Sequence, residues 1–96
     1  MHNRNNILLI EDQKSLANDV VKYLGDNNYK CTHVTSIKNA KLLLRTDNFN
    51  MVLLDLGLPD GNGLNLIKLI KEKDSSCGVI IISAKDALDK KVEGLE

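Results

Sequence analysis

The sequence lacks an excess of charge of either sign, because its 13 basic and 13 acidic residues cancel. A surplus of positive charge is what draws a protein to nucleic acid or to an anionic membrane surface, so neither is an expected partner. The expected partner is another protein or a small phosphorylated molecule.

The sequence also lacks any apolar stretch that approaches the ~18 residues of a membrane span. Its first residues, 1–6, are polar and do not resemble a signal peptide, which has an apolar central region. A cytoplasmic location is therefore expected.

Cysteine is scarce, and Cys31 and Cys77 do not form a Cys-x-x-Cys pair. Each is expected to open a strand, and strands at opposite edges of a four-stranded sheet are separated by three spacings, or ~14 Å. A disulfide needs Cα atoms within roughly 7 Å of each other. Both cysteines are therefore predicted to be reduced packing residues, in keeping with a reducing compartment.

The composition that is present is that of an ordinary globular protein, with 43% hydrophobic and 27% charged residues. The 96 residues are slightly fewer than the roughly 100–150 of a common domain, so the chain can hold one core. It contains no low-complexity tract, no linker and no internal repeat beyond a β-α unit. A single domain over residues 1–96 is predicted.

Short apolar runs alternate with stretches of helical period, which indicates repeated β-α units. Strands are predicted near 6–11, 30–35, 51–55 and 79–83. The second is the most polar and is predicted to be an edge strand, whereas the third is continuously apolar and therefore central. Right-handed crossovers between parallel strands then give an α/β fold with an open, doubly wound sheet.

Helices are predicted between these strands. Gly25 and Asn27 supply a stop for the first, Ser36 can cap the second, and a last helix begins near Asp86. The predicted inner faces are Leu16, Val20, Val21 and Leu24 in the first helix, Ile37, Ala40, Leu43 and Leu44 in the second, Leu64, Ile67 and Ile70 in the third, and Leu88, Val92 and Leu95 in the last.

Acidic residues follow two of the apolar runs. Asp55 stands where the third strand breaks into a loop with Pro59 and three glycines, and a charge so near the core is costly unless a metal, a cation or a chemical task offsets it. Glu11 and Asp12 follow the first strand, so three carboxylates meet at one edge if the two strands are parallel neighbours. Ser83 ends the fourth strand at the same edge, where such sheets form their sites.

Simpler interpretations stand beside this one. Acids at strand ends are often loop caps or solvated, and Ser83 alone is a routine turn residue; it is their combination that favours a site. Gly61 and Gly63 are predicted to serve turn geometry and helix entry, because no phosphate-binding Gly-x-x-x-x-Gly-Lys pattern exists. His33 is predicted to be a packing or surface histidine. The lysines Lys68, Lys71, Lys73, Lys85, Lys90 and Lys91 are predicted to be solvated helix faces, with docking of a partner as the alternative.

These residues resemble the receiver domain of bacterial two-component response regulators, a flavodoxin-like fold with strand order 2-1-3-4-5. The resemblance extends from about Ile7 to the end of the chain. The matching features are Glu11-Asp12, Asp55-x-x-Leu58-Pro59-x-Gly61, and Ser83-Ala84.

The resemblance implies a phosphoprotein in which Asp55 accepts a phosphoryl group from a sensor histidine kinase or a small donor. It implies Mg²⁺ as cofactor, since this ion prefers hard oxygen ligands and keeps several waters. Asp12 and Asp55 are the implied direct ligands, with the Gly57 carbonyl, and Glu11 acts through water. Such a domain switches conformation as a signalling module and is an enzyme only in its own phosphorylation and dephosphorylation.

Two further roles follow from the resemblance. The Ser83 hydroxyl is expected to donate to a phosphoryl oxygen, and the small side chain of Ala84 leaves its backbone N–H accessible. Phosphoryl transfer through a loose transition state depends mostly on such alignment and on stabilising the equatorial oxygens.

The sequence departs from the family at its end. Receiver domains continue with a fifth strand and a fifth helix, so the expected order here is 2-1-3-4, an incomplete domain without the phosphoryl-binding lysine that the family places after strand five. Lys85 is not that lysine, and loss of one such donor commonly costs about 10²–10³ in rate. The strand near 79–82 then becomes a bare apolar edge, which predicts self-association, a dimer in the first instance.

Two other functions remain open. One is a degenerate receiver that acts only by protein contact, for which the missing segment is the argument. The other is a metal-dependent phosphohydrolase, which is disfavoured because Gly57 stands where the second acid of an Asp-x-Asp motif is expected.

Overall fold

The computed structural model describes residues 6–82, which form alternating strands and helices. The strands are β1 (Asn6–Ile10), β2 (Lys30–Val34), β3 (Met51–Asp55) and β4 (Gly78–Ile82), and the helices are α1 (Lys14–Asp26), α2 (Ile37–Thr46) and α3 (Gly63–Lys73). The predicted succession of β-α units is confirmed in this part of the chain. The expected helix from Asp86 lies outside it.

The four strands form one parallel sheet in the order β2-β1-β3-β4. In the register, Ile10 at the end of β1 pairs with Val34 of β2 and with Leu54 of β3. The carboxyl ends of the strands therefore meet at one edge of the sheet. The predicted order 2-1-3-4, with β2 at an edge and β3 in the interior, is confirmed.

The main core lies between one face of the sheet and the helices α2 and α3. Strand β1 is covered on both faces, which explains why its apolar run shows no alternation. Ser36 begins α2 as predicted, because its hydroxyl accepts the Asn39 N–H at 3.1 Å. The buried residues of this core are Leu8, Ile10, Ile37, Ala40, Leu44, Phe49, Val52, Leu54, Leu58, Leu66, Ile70 and Cys77.

Helix α1 packs with a stripe that is shifted from the predicted one. Ala17 is fully buried, whereas Leu16 is exposed. A stripe that contains Ala17 and Leu24 at i and i+7 places Leu16 at its margin, so the small alanine, and not the leucine, lies against the sheet. The helix ends as predicted, with Asn28 in the left-handed region at φ 70°.

Helix α3 is rotated relative to the prediction. Leu64 is 59% exposed, and Leu66 and Ile70 are the buried leucine and isoleucine of the helix. A Cβ on Gly63 would lie 2.7 Å from Cδ2 of Leu56, so the first residue of α3 lies against the end of β3. This close approach selects the face with Gly63, Leu66 and Ile70, and the prediction of Leu64 as an inner residue was wrong.

Two lysines of α3 were predicted to be solvated, but both donate hydrogen bonds to backbone carbonyls. Lys73 Nζ donates to the backbone carbonyls of Leu44 and Asp47, where α2 ends. Lys71 Nζ donates to the Cys77 carbonyl ahead of β4. These side chains connect the end of α3 to its neighbours.

The edges of the described sheet carry the two cysteines. Cys31 lies in β2 and Cys77 directly precedes β4, on opposite edges, and both are free thiols. As predicted, these two cysteines form no disulfide with each other. Burial raises the pKa of both thiols, which keeps them protonated.

Strand β4 is the outer strand of the four on the side opposite β2. Its side chains Ile80 and Ile81 are 47% and 43% exposed. Within residues 6–82, this strand therefore presents two apolar side chains to solvent. In that same part of the chain, no helix has the length and apolar character needed to cross a membrane.

Candidate metal centre

Three carboxylates meet at the carboxyl edge of the sheet. Glu11 and Asp12 follow β1 and Asp55 ends β3, the adjacent strand, and one oxygen from each lies within 4.8 Å of the others. Glu11 and Asp55 are each only 2% exposed, whereas Asp12 faces solvent. The structure thus brings together the three acids that the sequence placed at this edge.

Glu11 is fixed by hydrogen bonds on three of its groups. Its N–H donates to the Val34 carbonyl at 3.0 Å, its own carbonyl is 2.7 Å from Nε2 of His33, and its Oε2 accepts the Gln13 N–H at 2.9 Å. The other carboxylate oxygen, Oε1, is buried and has no hydrogen-bond partner in the described structure. One acceptor is therefore left beside the other two acids.

The environment of Glu11 disfavours its charged form. Burial, followed by the proximity of the Asp55 and Asp12 carboxyl groups, raises the pKa of Glu11 to about 7, although the Gln13 N–H acts in the opposite direction. A cation bound beside these carboxylates would favour their charged forms.

Asp55 is held by the loop that follows it. Its Oδ1 accepts the Gly57 N–H at 2.9 Å, so the carboxylate has a fixed orientation at the end of β3. For Gly57 the sequence predicted a carbonyl ligand; the contact seen here uses its N–H and leaves the carbonyl for another partner. Ser83 and Ala84, the remaining predicted site residues, lie outside the described residues.

The same loop is anchored to α2 by Asp60, a contact that the sequence analysis missed. The Asp60 carboxylate accepts the N–H groups of Ile37 and Lys38 at 3.0 and 3.1 Å. These bonds, with the charge of Lys41, lower the pKa of Asp60. A signal for this contact existed in the sequence, because the first turn of α2 contains no acidic residue and its free N–H groups need an acceptor.

The end of the loop is shaped by close packing. Asn62 caps α3 by accepting the Leu64 N–H at 2.8 Å. A Cβ on Gly61 would lie 3.1 Å from Cδ1 of Ile37, and no glycine in residues 6–82 has a positive φ. Gly61 and Gly63 therefore serve helix entry, as predicted, through close approach and not through a left-handed turn.

The donor set fits a hard divalent cation. One oxygen from each of the three carboxylates lies within 4.8 Å of the others, so all three can surround a single hard cation, either as direct ligands or through water. The partnerless Oε1 of Glu11 supplies the second observation, because a buried carboxylate oxygen is stable only with a partner. The described residues thus suit Mg²⁺ in number, charge and type.

Comparison with known proteins gives a consistent result. Residues 7–96 match the family described as response regulator receiver domain. The transcriptional regulatory protein BasR of Escherichia coli is 34% identical over 94% of this chain and 40% of its own length. The chain spans about two fifths of the length of BasR and of the transcriptional regulatory protein PmrA of Pectobacterium parmentieri.

Solved structures agree with the sequence matches. The non-phosphorylated HemR receiver domain from Leptospira biflexa superposes with a TM-score of 0.77 at 31% identity, covering 94% of this chain and 73% of that one. The MaeR response regulator bound to beryllium trifluoride has a TM-score of 0.76 at 28% identity, with 95% and 76% coverage. The flavodoxin-like fold is common to all three.

Proposed function

This chain belongs to the response regulator receiver domain family, and from that premise we propose that Asp55 accepts a phosphoryl group from the phosphohistidine of a sensor histidine kinase. Receiver domains are signalling domains and not enzymes in the usual sense. The observation that carries the proposal is the buried Asp55 carboxylate at the end of β3, with Glu11 and Asp12 within 4.8 Å of it.

The geometry at Asp55 suits an attack on phosphorus. The Gly57 N–H holds Oδ1, which leaves Oδ2 as the nucleophile. As the new O–P bond forms, the P–N bond of the phosphohistidine breaks and the imidazole leaves with the electron pair. Alignment is the main requirement of this step, and the fixed carboxylate provides it.

We propose that Asp12 and Asp55 bind Mg²⁺ directly, with the Gly57 carbonyl, and that Glu11 acts through a water held at Oε1. When bound, the ion neutralises charge on the phosphoryl oxygens and on the carboxylates. The support is the cluster itself and the partnerless Oε1 of Glu11. Ser83 and Ala84 are proposed to contact the phosphoryl group through a hydroxyl and a backbone N–H.

The test is a mass measurement after incubation with acetyl phosphate and Mg²⁺. The wild-type protein should gain one phosphoryl group on Asp55, and both Asp55→Asn and a chelator should abolish the gain. Asp19→Asn is the matched control, because Asp19 is an exposed carboxylate of α1. If the folded wild-type protein gains no mass at any Mg²⁺ concentration, the phosphoacceptor proposal fails and a receiver that acts only by contact takes its place.

We also propose that the chain associates with itself through the β4 edge, where Ile80 and Ile81 are exposed. Strand edges with apolar side chains are templates for pairing with another chain. Light scattering should show a dimer or a larger assembly, and Ile81→Lys should shift it towards the monomer. A stable wild-type monomer at high micromolar concentration contradicts the proposal.

The kind of protein to which this domain belongs is inferred from its family membership. The curated relatives are transcriptional regulatory proteins, and we propose that this chain is the regulatory part of such a protein, acting in the cytoplasm. The formal net charge of the 96 residues is zero, and we propose that output lies with another domain or a protein partner.

A further inference from the structure

The ladder between β1 and β2 ends in an unusual way at Glu11. The Glu11 N–H donates to the Val34 carbonyl at 3.0 Å, which is the last backbone rung between these strands in the described structure. In a parallel ladder the Glu11 carbonyl would next accept the N–H two positions beyond Val34, which belongs to Ser36. Strand β2 ends at Val34, however, and Ser36 is already the N-cap of α2.

The side chain of His33 takes the place of the Ser36 N–H as the partner of the Glu11 carbonyl. Nε2 of His33 lies 2.7 Å from the Glu11 carbonyl oxygen, at the short end of the range for hydrogen bonds from nitrogen. His33 pairs in register with Leu9, two residues before Glu11, so its side chain leaves β2 on the face that Leu9 and Glu11 share. The ring then reaches along the strand to the carbonyl.

This carbonyl belongs to the peptide bond that joins Glu11 to Asp12. A peptide group is planar, so fixing the direction of its C=O also fixes the direction in which the chain leaves towards Asp12. Asp12 stands beyond the end of β1 and faces solvent, so packing does not hold it. The His33 contact is therefore positioned to set the separation of Asp12 from Asp55.

We propose that His33 is a positioning residue for the acidic cluster: by donating from Nε2 to the Glu11 carbonyl, it orients the Glu11–Asp12 peptide so that Asp12 and Asp55 can share one divalent cation. This inference rests on the proposed Mg²⁺ site. It gives a functional role to a histidine that the sequence suggested only for packing or the surface.

The test measures the Mg²⁺ affinity of the wild-type protein and of three variants of β2. Binding is monitored through the amide NMR signals of Asp12 and Gly57. His33→Phe keeps a ring but has no donor, and it should weaken binding roughly 10-fold, the lower end of the effect seen when partners that orient metal ligands are removed. His33→Gln offers an amide N–H and should stay within about twofold of wild type. Thr32→Val is the matched control on the opposite face of β2 and should bind as wild type does.

An equal affinity of His33→Phe and wild type overturns the inference, and so does a His33→Gln variant that binds as weakly as His33→Phe. A second measurement on the wild-type protein does not depend on variant folding. Long-range ¹H–¹⁵N spectra of the His33 ring should show hydrogen on Nε2, and a neutral ring with hydrogen on Nδ1 alone excludes the bond. If the wild-type protein binds no Mg²⁺ while Nε2 carries the hydrogen, the proposed metal site is disproved. The hydrogen bond from His33 to the Glu11 carbonyl is still supported in that case.

Discussion

At the scale of single residues, Glu11 occupies the least favourable electrostatic position in the described structure. Its carboxylate is buried, one oxygen has no partner, and Asp55 lies beside it. Three hydrogen bonds fix the residue in this position, and the proposed cation would relieve the repulsion between the carboxylates. Without the cation, the repulsion should be visible as a dependence of stability on pH.

The metal-free protein is predicted to lose stability as the pH rises, and Glu11→Gln to remove this loss. The folded pKa of Glu11 is about 7 against an ordinary value of 4.5. The folded state therefore binds this proton more tightly than the unfolded chain, so the stability it contributes is complete below pH 4.5 and is lost as the pH rises through about 7. The full shift corresponds to roughly 3 kcal/mol.

Urea unfolding at pH 5, 6, 7 and 8 with a chelator measures this effect. At pH 8 Glu11→Gln should be more stable than wild type, and the difference should shrink towards pH 5. Asp19→Asn serves as the control and should leave the pH profile unchanged. Parallel wild-type and Glu11→Gln curves would refute the prediction.

Asp60 stabilises the start of α2 through a contact that the sequence analysis did not identify. Asp60→Ala is predicted to lower the urea midpoint, because the Ile37 and Lys38 N–H groups at the start of α2 lose their acceptor. The lowered pKa of Asp60 means that this stabilisation is present above the ordinary pKa of 3.8 and is lost as the pH falls through the folded value.

Hydrogen exchange separates this effect from a general loss of stability. In Asp60→Ala the amides of Ile37 and Lys38 should exchange faster than the rest of α2. Asp19→Ala, which removes an exposed carboxylate from α1, should leave both amides protected. Unchanged exchange at Ile37 and Lys38 in Asp60→Ala would show that these bonds do not form in solution.

At the scale of elements, helix α2 is held at both ends by the β3-α3 segment. Asp60 bonds its first N–H groups, and Lys73 bonds the carbonyls of Leu44 and Asp47 at its end. These contacts join residues 22 to 29 positions apart. The sequence indicates that the first N–H groups of α2 need an acceptor, but it does not indicate which distant residue supplies it.

The buried face of helix α3 also depends on contacts with distant residues. It leads to a prediction for two glycine variants, one in α3 and one in α1. Gly63→Val should destabilise by about 1–3 kcal/mol through overpacking, because even a Cβ there lies 2.7 Å from Leu56 and 3.3 Å from Leu54. Gly25→Ala in α1 should instead stabilise by roughly 0.5–1 kcal/mol through helix propensity, since a Cβ at Gly25 meets nothing within 4 Å.

Urea midpoints of the two variants test this pair. The opposite signs are the discriminating result, because a general intolerance of glycine replacement would lower both midpoints. A neutral Gly63→Val would mean that α3 can rotate away from β3, and that its buried face is less firmly selected than the structure indicates.

At the scale of the whole molecule, the carboxyl edge of the sheet brings residues from separate segments together in one site. A ligand bound at that edge should therefore stabilise the entire fold. Mg²⁺ is predicted to raise the melting temperature, because it binds the folded state and not the unfolded chain; at 100 times its Kd the gain is about 2.7 kcal/mol. Asp12→Asn should remove most of the shift. Thermal unfolding with Mg²⁺ and with chelator measures it, and Asp19→Asn should respond as wild type does.

The amino-acid sequence by itself determined the order of the elements, the parallel sheet and the meeting of Glu11, Asp12 and Asp55, because local periodicity specifies strands and helices and parallel topology places all strand ends at one edge. The tertiary structure decided the rotation of α3, the docking of Asp60 on α2 and the bond from His33 to Glu11. These depend on which side chains approach across the core, and a repeat of apolar residues leaves more than one such packing open until the distant partners are in place.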